Sequence, residues 1–109
     1  MKIAIASNGK NEKAQVSEVS GRAPYFLIFE DGRLIKTIKN PFRIGGGGAG
    51  FAVAEMLSDQ KVEMIVSGKF GPNIMNALES KGIQCKEMSG ITAKEALKKI
   101  EEQNPQGAD

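Results

Sequence analysis

Two runs of strand-forming residues, Tyr25-Phe26-Leu27-Ile28-Phe29 and Leu34-Ile35-Lys36-Thr37-Ile38-Lys39, flank an Asp31-Gly32 pair. Asp-Gly between two such runs predicts a hairpin closed by a type I′ turn, because both central residues need positive φ. That hairpin commits the first half of the chain to a meander. Lys2-Ile3-Ala4-Ile5-Ala6 reads as a short buried strand ahead of it, and Asn40-Pro41 stops the third strand.

The second half changes period. Val53, Met56 and Leu57 give one helical face, and Val62–Val66 reads as an apolar strand broken only by Glu63. Gly71-Pro72-Asn73 opens a second helix, with proline at the first helical position, where its missing N–H does no harm. Gly82 is placed to close that helix from the left-handed region. Ile83–Lys86 predicts a fifth strand. Thr92-Ala93-Lys94-Glu95 is a capping box for a third helix, whose buried face is Ala93, Ala96, Leu97 and Ile100.

The order βββαβαβα predicts an α/β domain with one five-stranded mixed sheet and helices packed against it. Residues 1–103 read as a single domain and 104–109 as a flexible tail. The meander brings the start of strand two and the end of strand three to the end where strand one finishes. Right-handed crossovers then make strands four and five parallel to strand one. Loops 7–23, 40–50, 67–73 and 88–92 should therefore share one rim, with all three helix N-termini pointing at it. The 7–23 stretch is polar, has no clean period and few apolar anchors, and reads as a functional or mobile loop.

Absences narrow the chemistry. The chain of 109 residues has no histidine, which excludes imidazole acid–base catalysis, Ser-His-Asp or Cys-His nucleophiles and histidine metal sites. A net charge of +2, with lysines and arginines dispersed, argues against nucleic acid as a partner. No apolar run is long enough to span a membrane, and the first residues are too briefly apolar for a signal peptide. The single cysteine predicts a cytoplasmic protein without an internal disulfide. Clustered carboxylates for a metal-dependent hydrolase are missing, since the first strand carries none and Glu18 with Glu87 would be unsupported. The chain is expected not to be an enzyme.

The rim favours an anion. Each helix N-terminus presents unpaired N–H groups and about half a positive charge. Lys10, Arg22, Arg43 and Lys69 come from rim segments, against the acids Glu12, Glu18 and Glu87. Thirteen glycines are present, five of them within Gly45-Gly46-Gly47-Gly48-Ala49-Gly50, where backbone can approach a ligand closely. Gly45, Gly47 and Gly50 match a dinucleotide fingerprint, but no first strand precedes them and no acid ends a following strand at the right distance. Phe51-Ala52 after Gly50 rules out a Walker A loop. These residues describe a pocket for a compact polyanion held by backbone amides; a glycine-rich turn serving as a bare connection is the structural alternative. Cys85 alternates with polar neighbours and reads as a buried small hydrophobe; Met88 alone, near the rim, could be a soft ligand.

Val16-Ser17-Glu18, Gly21-Arg22-Ala23-Pro24-Tyr25-Phe26, the Asn40-Pro41 stop, the glycine run and Gly71-Pro72-Asn73 occur in one ordered series. The series resembles the dinitrogenase iron–molybdenum cofactor biosynthesis family, over about Met1 to Ile100. The resemblance implies a three-layer α/β/α domain similar to the ribonuclease H-like fold. It also implies non-catalytic binding or carriage of an anionic metal–sulfur cluster or precursor, iron–sulfur or molybdenum–sulfur. Carried over, Ser17, Glu18, Gly21 and Arg22 form one wall. Gly46, Gly47, Gly48 and Gly50 form the second, and Gly71, Pro72 and Asn73 the third, with Lys69 adding charge. Many members of the family carry His-Phe where this chain has Val19-Ser20. A cluster here would therefore be held by hydrogen bonds and charge, with Ser20 or Met88 as substitutes for imidazole. The implied partners are the cluster itself and a cofactor-assembly or regulatory protein. The alternative is a cluster-free regulatory or scaffold module acting through protein contacts.

Overall fold

The computed structural model describes residues 1–43 and 48–103. The expected tail at 104–109, and Gly46 and Gly47 of the glycine run, lie outside the described residues. The elements are β1 (Lys2–Ser7), β2 (Tyr25–Glu30), β3 (Arg33–Lys39), α1 (Ala49–Asp59), β4 (Met64–Ser67), α2 (Pro72–Ser80), β5 (Gln84–Glu87) and α3 (Ala93–Gln103), with a 3₁₀ turn at Ser20–Arg22. The strands form one mixed sheet in the order β3-β2-β1-β4-β5. β1 and β3 run antiparallel to β2, while β4 is parallel to both β1 and β5.

Local chemistry explains the boundaries. Asp31 and Gly32 take φ values of 50° and 84°, as the hairpin turn demands. Gly71 caps α2 ahead of Pro72, and Gly82, with φ of 75°, stops it. The Thr92 hydroxyl accepts a bond from the Glu95 N–H at 3.1 Å, while the Glu95 carboxylate accepts from the Thr92 N–H at 2.8 Å. Val62 is buried but precedes β4, and β5 starts one residue after Ile83.

Strand alternation divides the core in two. Ala4, Ala6, Phe26, Ile28 and Ile65 face α1 and α2, meeting Val53, Leu57, Ile74 and Leu78. Ile3, Ile5, Leu27, Phe29 and Val66 face the other way and meet Ala93, Ala96, Leu97 and Ile100 of α3. Fully burying a side chain of this size contributes about 1.5–3 kcal/mol relative to leaving it exposed. The central strands, apolar on both faces, therefore require helices on both sides. β3, at the edge, is almost wholly exposed and carries Arg33, Lys36 and Lys39, charges that discourage edge-to-edge pairing. No described helix is long and apolar enough to cross a membrane.

Candidate functional site

The C-terminal ends of β1, β4 and β5 lie side by side, and β2 begins and β3 ends at the same edge. The N-termini of α1, α2 and α3 follow these ends and open onto that rim. The 7–23 loop, which reads from its sequence as functional or mobile, is tied to its surroundings through the backbone. Ser17 N–H donates to the Ala6 carbonyl, Val16 N–H to Ile91, and the Ala93 and Lys94 amides to Ala14 and Glu12. Further along, Gly68 N–H donates to the Ser17 carbonyl and Ser20 N–H to Lys69. Backbone bonds have no side-chain signature, so polarity alone makes this segment look loose.

Two clefts open on the rim. The first, of about 430 Å³, lies toward α3 and is lined by Asn8, Gln15, Ser17, Glu18 and Gly90 among others. The second, of about 350 Å³, lies where α1 and α2 begin and is lined by Ser20, Gly21, Ala49, Gly50, Gly71 and Asn73 among others. Val19, Arg22 and Arg43 line both and stand at their junction. A further groove over Phe51 and Ala77 includes Gly48. The expected site residues thus separate: Ser17 and Glu18 in one cleft, Ser20, Gly21, Gly50, Gly71 and Asn73 in the other, Arg22 in both. Lys69 lines none of these openings and offers its carbonyl to Ser20. The Ser17 hydroxyl is spent on the Val19 carbonyl at 3.3 Å. Met88 is half-buried and packs against the core cluster that α3 covers.

The second cleft is rich in donors. Neither α1 nor α2 has a side-chain cap. In α2 the first amide to bond back is Met75, to Gly71 at 3.0 Å; in α1 it is Ala52, to Gly48 at 3.0 Å. The earlier amides, Asn73 and Ile74 in α2 and Ala49, Gly50 and Phe51 in α1, have no bond back to a carbonyl among the described residues. A Cβ on Gly50 would sit 3.0 Å from Ile74 Cβ and 3.3 Å from its nitrogen, so the bare backbone lets these ends touch. Arg22 and Arg43 are exposed and have no carboxylate partner among the described residues. Gly71 is glycine without a steric reason: its φ is −68°, and a Cβ added there would meet nothing within 4 Å. A side chain at this position would project into open space beside the cleft.

Three features of the site are not legible in the sequence. Asn40, 5% exposed, donates to the carbonyls of Gly21 and Ala23 at 3.1 and 2.9 Å and accepts from the Phe42 N–H at 2.9 Å. It binds together the segments that carry Arg22 and Arg43. An Asn-Pro pair announces a strand stop, and nothing in it reveals partners so far back in the chain. Gly68 backs directly onto Glu18, whose Cα would lie 2.6 Å from a Cβ. Ser20 is an expected site residue, but its distinguishing property is tertiary: it is fully buried, and its hydroxyl oxygen has no hydrogen-bond partner among the described residues.

Direct ligation of a metal has little support from the side chains. No group of three or more His, Cys, Asp or Glu converges among the described residues. Cys85 packs against the α1–α2 core, and burial, with Glu79 nearby, pushes its thiol up to about 11. It is therefore a neutral thiol at ordinary pH, where a metal ligand would be a thiolate.

The model of the family described as dinitrogenase iron-molybdenum cofactor matches residues 1–103. The chain superposes on the apo form of the orange protein from Desulfovibrio gigas with a TM-score of 0.87 at 23% identity, covering 94% of this chain and 88% of that one. It also superposes on a NifB-type protein of the DUF35 family from Thermotoga, with a TM-score of 0.80 at 28% identity, covering 93% and 87% respectively. No curated protein sequence matches the chain.

Proposed function

The chain belongs to the dinitrogenase iron-molybdenum cofactor family, and on that premise we propose that it carries an anionic metal–sulfur cluster or precursor, iron–sulfur or molybdenum–sulfur, at its rim. The observation that carries this reading is the meeting of the α1 and α2 N-termini at one cleft beside Arg22 and Arg43. Each helix end contributes about half a positive charge as well as free N–H groups, and charge-assisted bonds are stronger than neutral ones. A metal–sulfide cluster presents a compact negative surface of acceptors, which suits such a lining without any imidazole. The donors are amides and guanidiniums, which bind and orient; the reading is therefore one of carriage without turnover.

The strand order, with helices on both faces, supports the ribonuclease H-like assignment that the family resemblance implies. A lone thiol fits a carrier working in the cytoplasm, where it stays reduced. Its partner would be a cofactor-assembly or regulatory protein rather than nucleic acid or membrane. A second reading, a cluster-free module acting through protein contacts, draws on Val19 and Phe51, which stay 46% and 58% exposed at the cleft margins.

The test is an anaerobic titration of the apo-protein with tetrathiomolybdate and with a preformed iron–sulfur cluster, read by absorbance and metal analysis after desalting. Stoichiometric retention that weakens with salt and is lost in Arg22→Ala is the expected result. If neither species is retained, the carrier reading falls and the protein-contact module takes its place.

A further inference from the structure

We propose that the free edge of β3 takes up an extended acidic segment of a partner protein, which adds a strand to the sheet. The docking surface is separate from the rim. None of Arg33–Lys39 lines either cleft, so the inference does not depend on any cargo held there.

Backbone chemistry supplies the first argument. β3 has one neighbour in the sheet, β2, and no other backbone group among the described residues bonds to it. Alternate N–H and C=O groups along its seven residues therefore face outward, as the template that an added strand uses. The opposite edge, β5, is four residues long and sets Lys86 beside Glu87, so it has no net charge to select a partner.

Side chains supply the second argument. Arg33, Lys36 and Lys39 are the ionisable residues of β3, and Lys10 stands beside the strand, its carbonyl accepting from the Thr37 hydroxyl at 3.0 Å. None of these four cations pairs with a carboxylate among the described residues. Leu34 and Ile35, 37% and 48% exposed, are two of the four large apolar side chains left open among the described residues. Charges that served only to keep other strands away would not need two exposed aliphatics between them.

Register sorts these side chains by face. Leu34 pairs with Phe29 and Lys36 with Ile28, so Ile35 is the extra residue of a β-bulge. The bulge puts Arg33 and Lys36 on one face, that of Ile28 and the α1–α2 core; without it they would fall on opposite faces. Leu34 and Thr37 lie opposite Phe29 and Leu27 on the α3 face, which ends in Lys39 opposite Tyr25. A strand added alongside meets cations on one face and an aliphatic on the other. The segment that complements it alternates acidic and aliphatic residues. A second copy of β3 fits badly, because it would set three cations against three like charges with no acid on either strand.

The experiment titrates the isotope-labelled full chain with a capped octapeptide of alternating valine and glutamate and, separately, with its valine–lysine counterpart. NMR follows amide shifts and hydrogen exchange. The acidic peptide should shift and protect amides of β3, leave those of Glu18 and Asn73 on the rim unmoved, and bind more weakly as salt is added. The lysine peptide should not bind. Lys36→Glu, at an exposed position, should weaken the acidic peptide roughly fivefold. The same peptide N-methylated throughout keeps its charge but has no amides to pair, and its binding should be lost. Silent β3 amides, shifts confined to the rim, equal binding of the lysine peptide, unchanged affinity in Lys36→Glu or full binding of the N-methylated peptide would each overturn strand addition. Movement of the β3 amides on raising the protein concentration alone would assign the edge to a second copy and overturn it as well.

Discussion

The Asn40 side chain donates to the Gly21 carbonyl at 3.1 Å across 19 residues of sequence. With its second bond to Ala23 and its acceptance from Phe42, this one amide clamps the turn bearing Arg22 to the turn bearing Arg43. The two cations at the junction of the clefts are thus set by a residue that lines neither opening.

Replacing Asn40 by alanine strands two carbonyls and an N–H in a largely buried setting, at a cost of about 3 kcal/mol in folding free energy. Asn40→Asp keeps the acceptor for Phe42 but loses both donors, so it should also destabilise. Urea unfolding of the three proteins measures both effects.

Gly68 and Gly71 should separate cleanly. A side-chain carbon at Gly68 would fall 2.6 Å from Glu18 Cα, so Gly68→Ala must push backbone apart, at a cost on the order of 3 kcal/mol. Gly71→Ala meets nothing and asks for no unusual dihedral, so its stability should stay within about 0.5 kcal/mol of the parent. Thermal melts of the pair read the contrast.

The cap of α3 predicts a pH dependence. Backbone and side-chain hydrogen bonds from Thr92 hold the Glu95 carboxyl below its ordinary value. A depressed carboxyl contributes stability above its unfolded pKa, and that contribution is lost as pH falls through the folded value. Thr92→Ala should cost about 1 kcal/mol at neutral pH. The gap between this variant and the parent should narrow on acidification below the ordinary glutamate range, as followed by circular dichroism.

Cys85 should resist alkylation in the folded protein. With its thiol pushed up to about 11, chiefly by burial, the thiolate is scarce at pH 8. Iodoacetamide should react roughly a hundredfold more slowly than with an ordinary thiol. Unfolding in denaturant should restore the ordinary rate, and mass spectrometry over time follows both.

What the sequence determined by itself is the part set by neighbours in the chain. The Asp31-Gly32 turn, the Gly71-Pro72 start and Gly82 stop of α2, the Thr92–Glu95 box and the apolar face of α3 each depend on local patterns of residues. Together they order the elements and place the helix N-termini on one rim, so the shared rim was legible from the order of strands and helices. Tertiary structure alone decided how that rim is divided. The closeness of Gly68 to Glu18, the reach of Asn40 back to Gly21 and Ala23, the contact of Gly50 with Ile74 and the burial of the Ser20 hydroxyl all arise where segments distant in sequence meet. Hydrogen bonds and close packing act over a few ångströms of space whatever the separation along the chain, so such pairings leave no periodic or compositional trace.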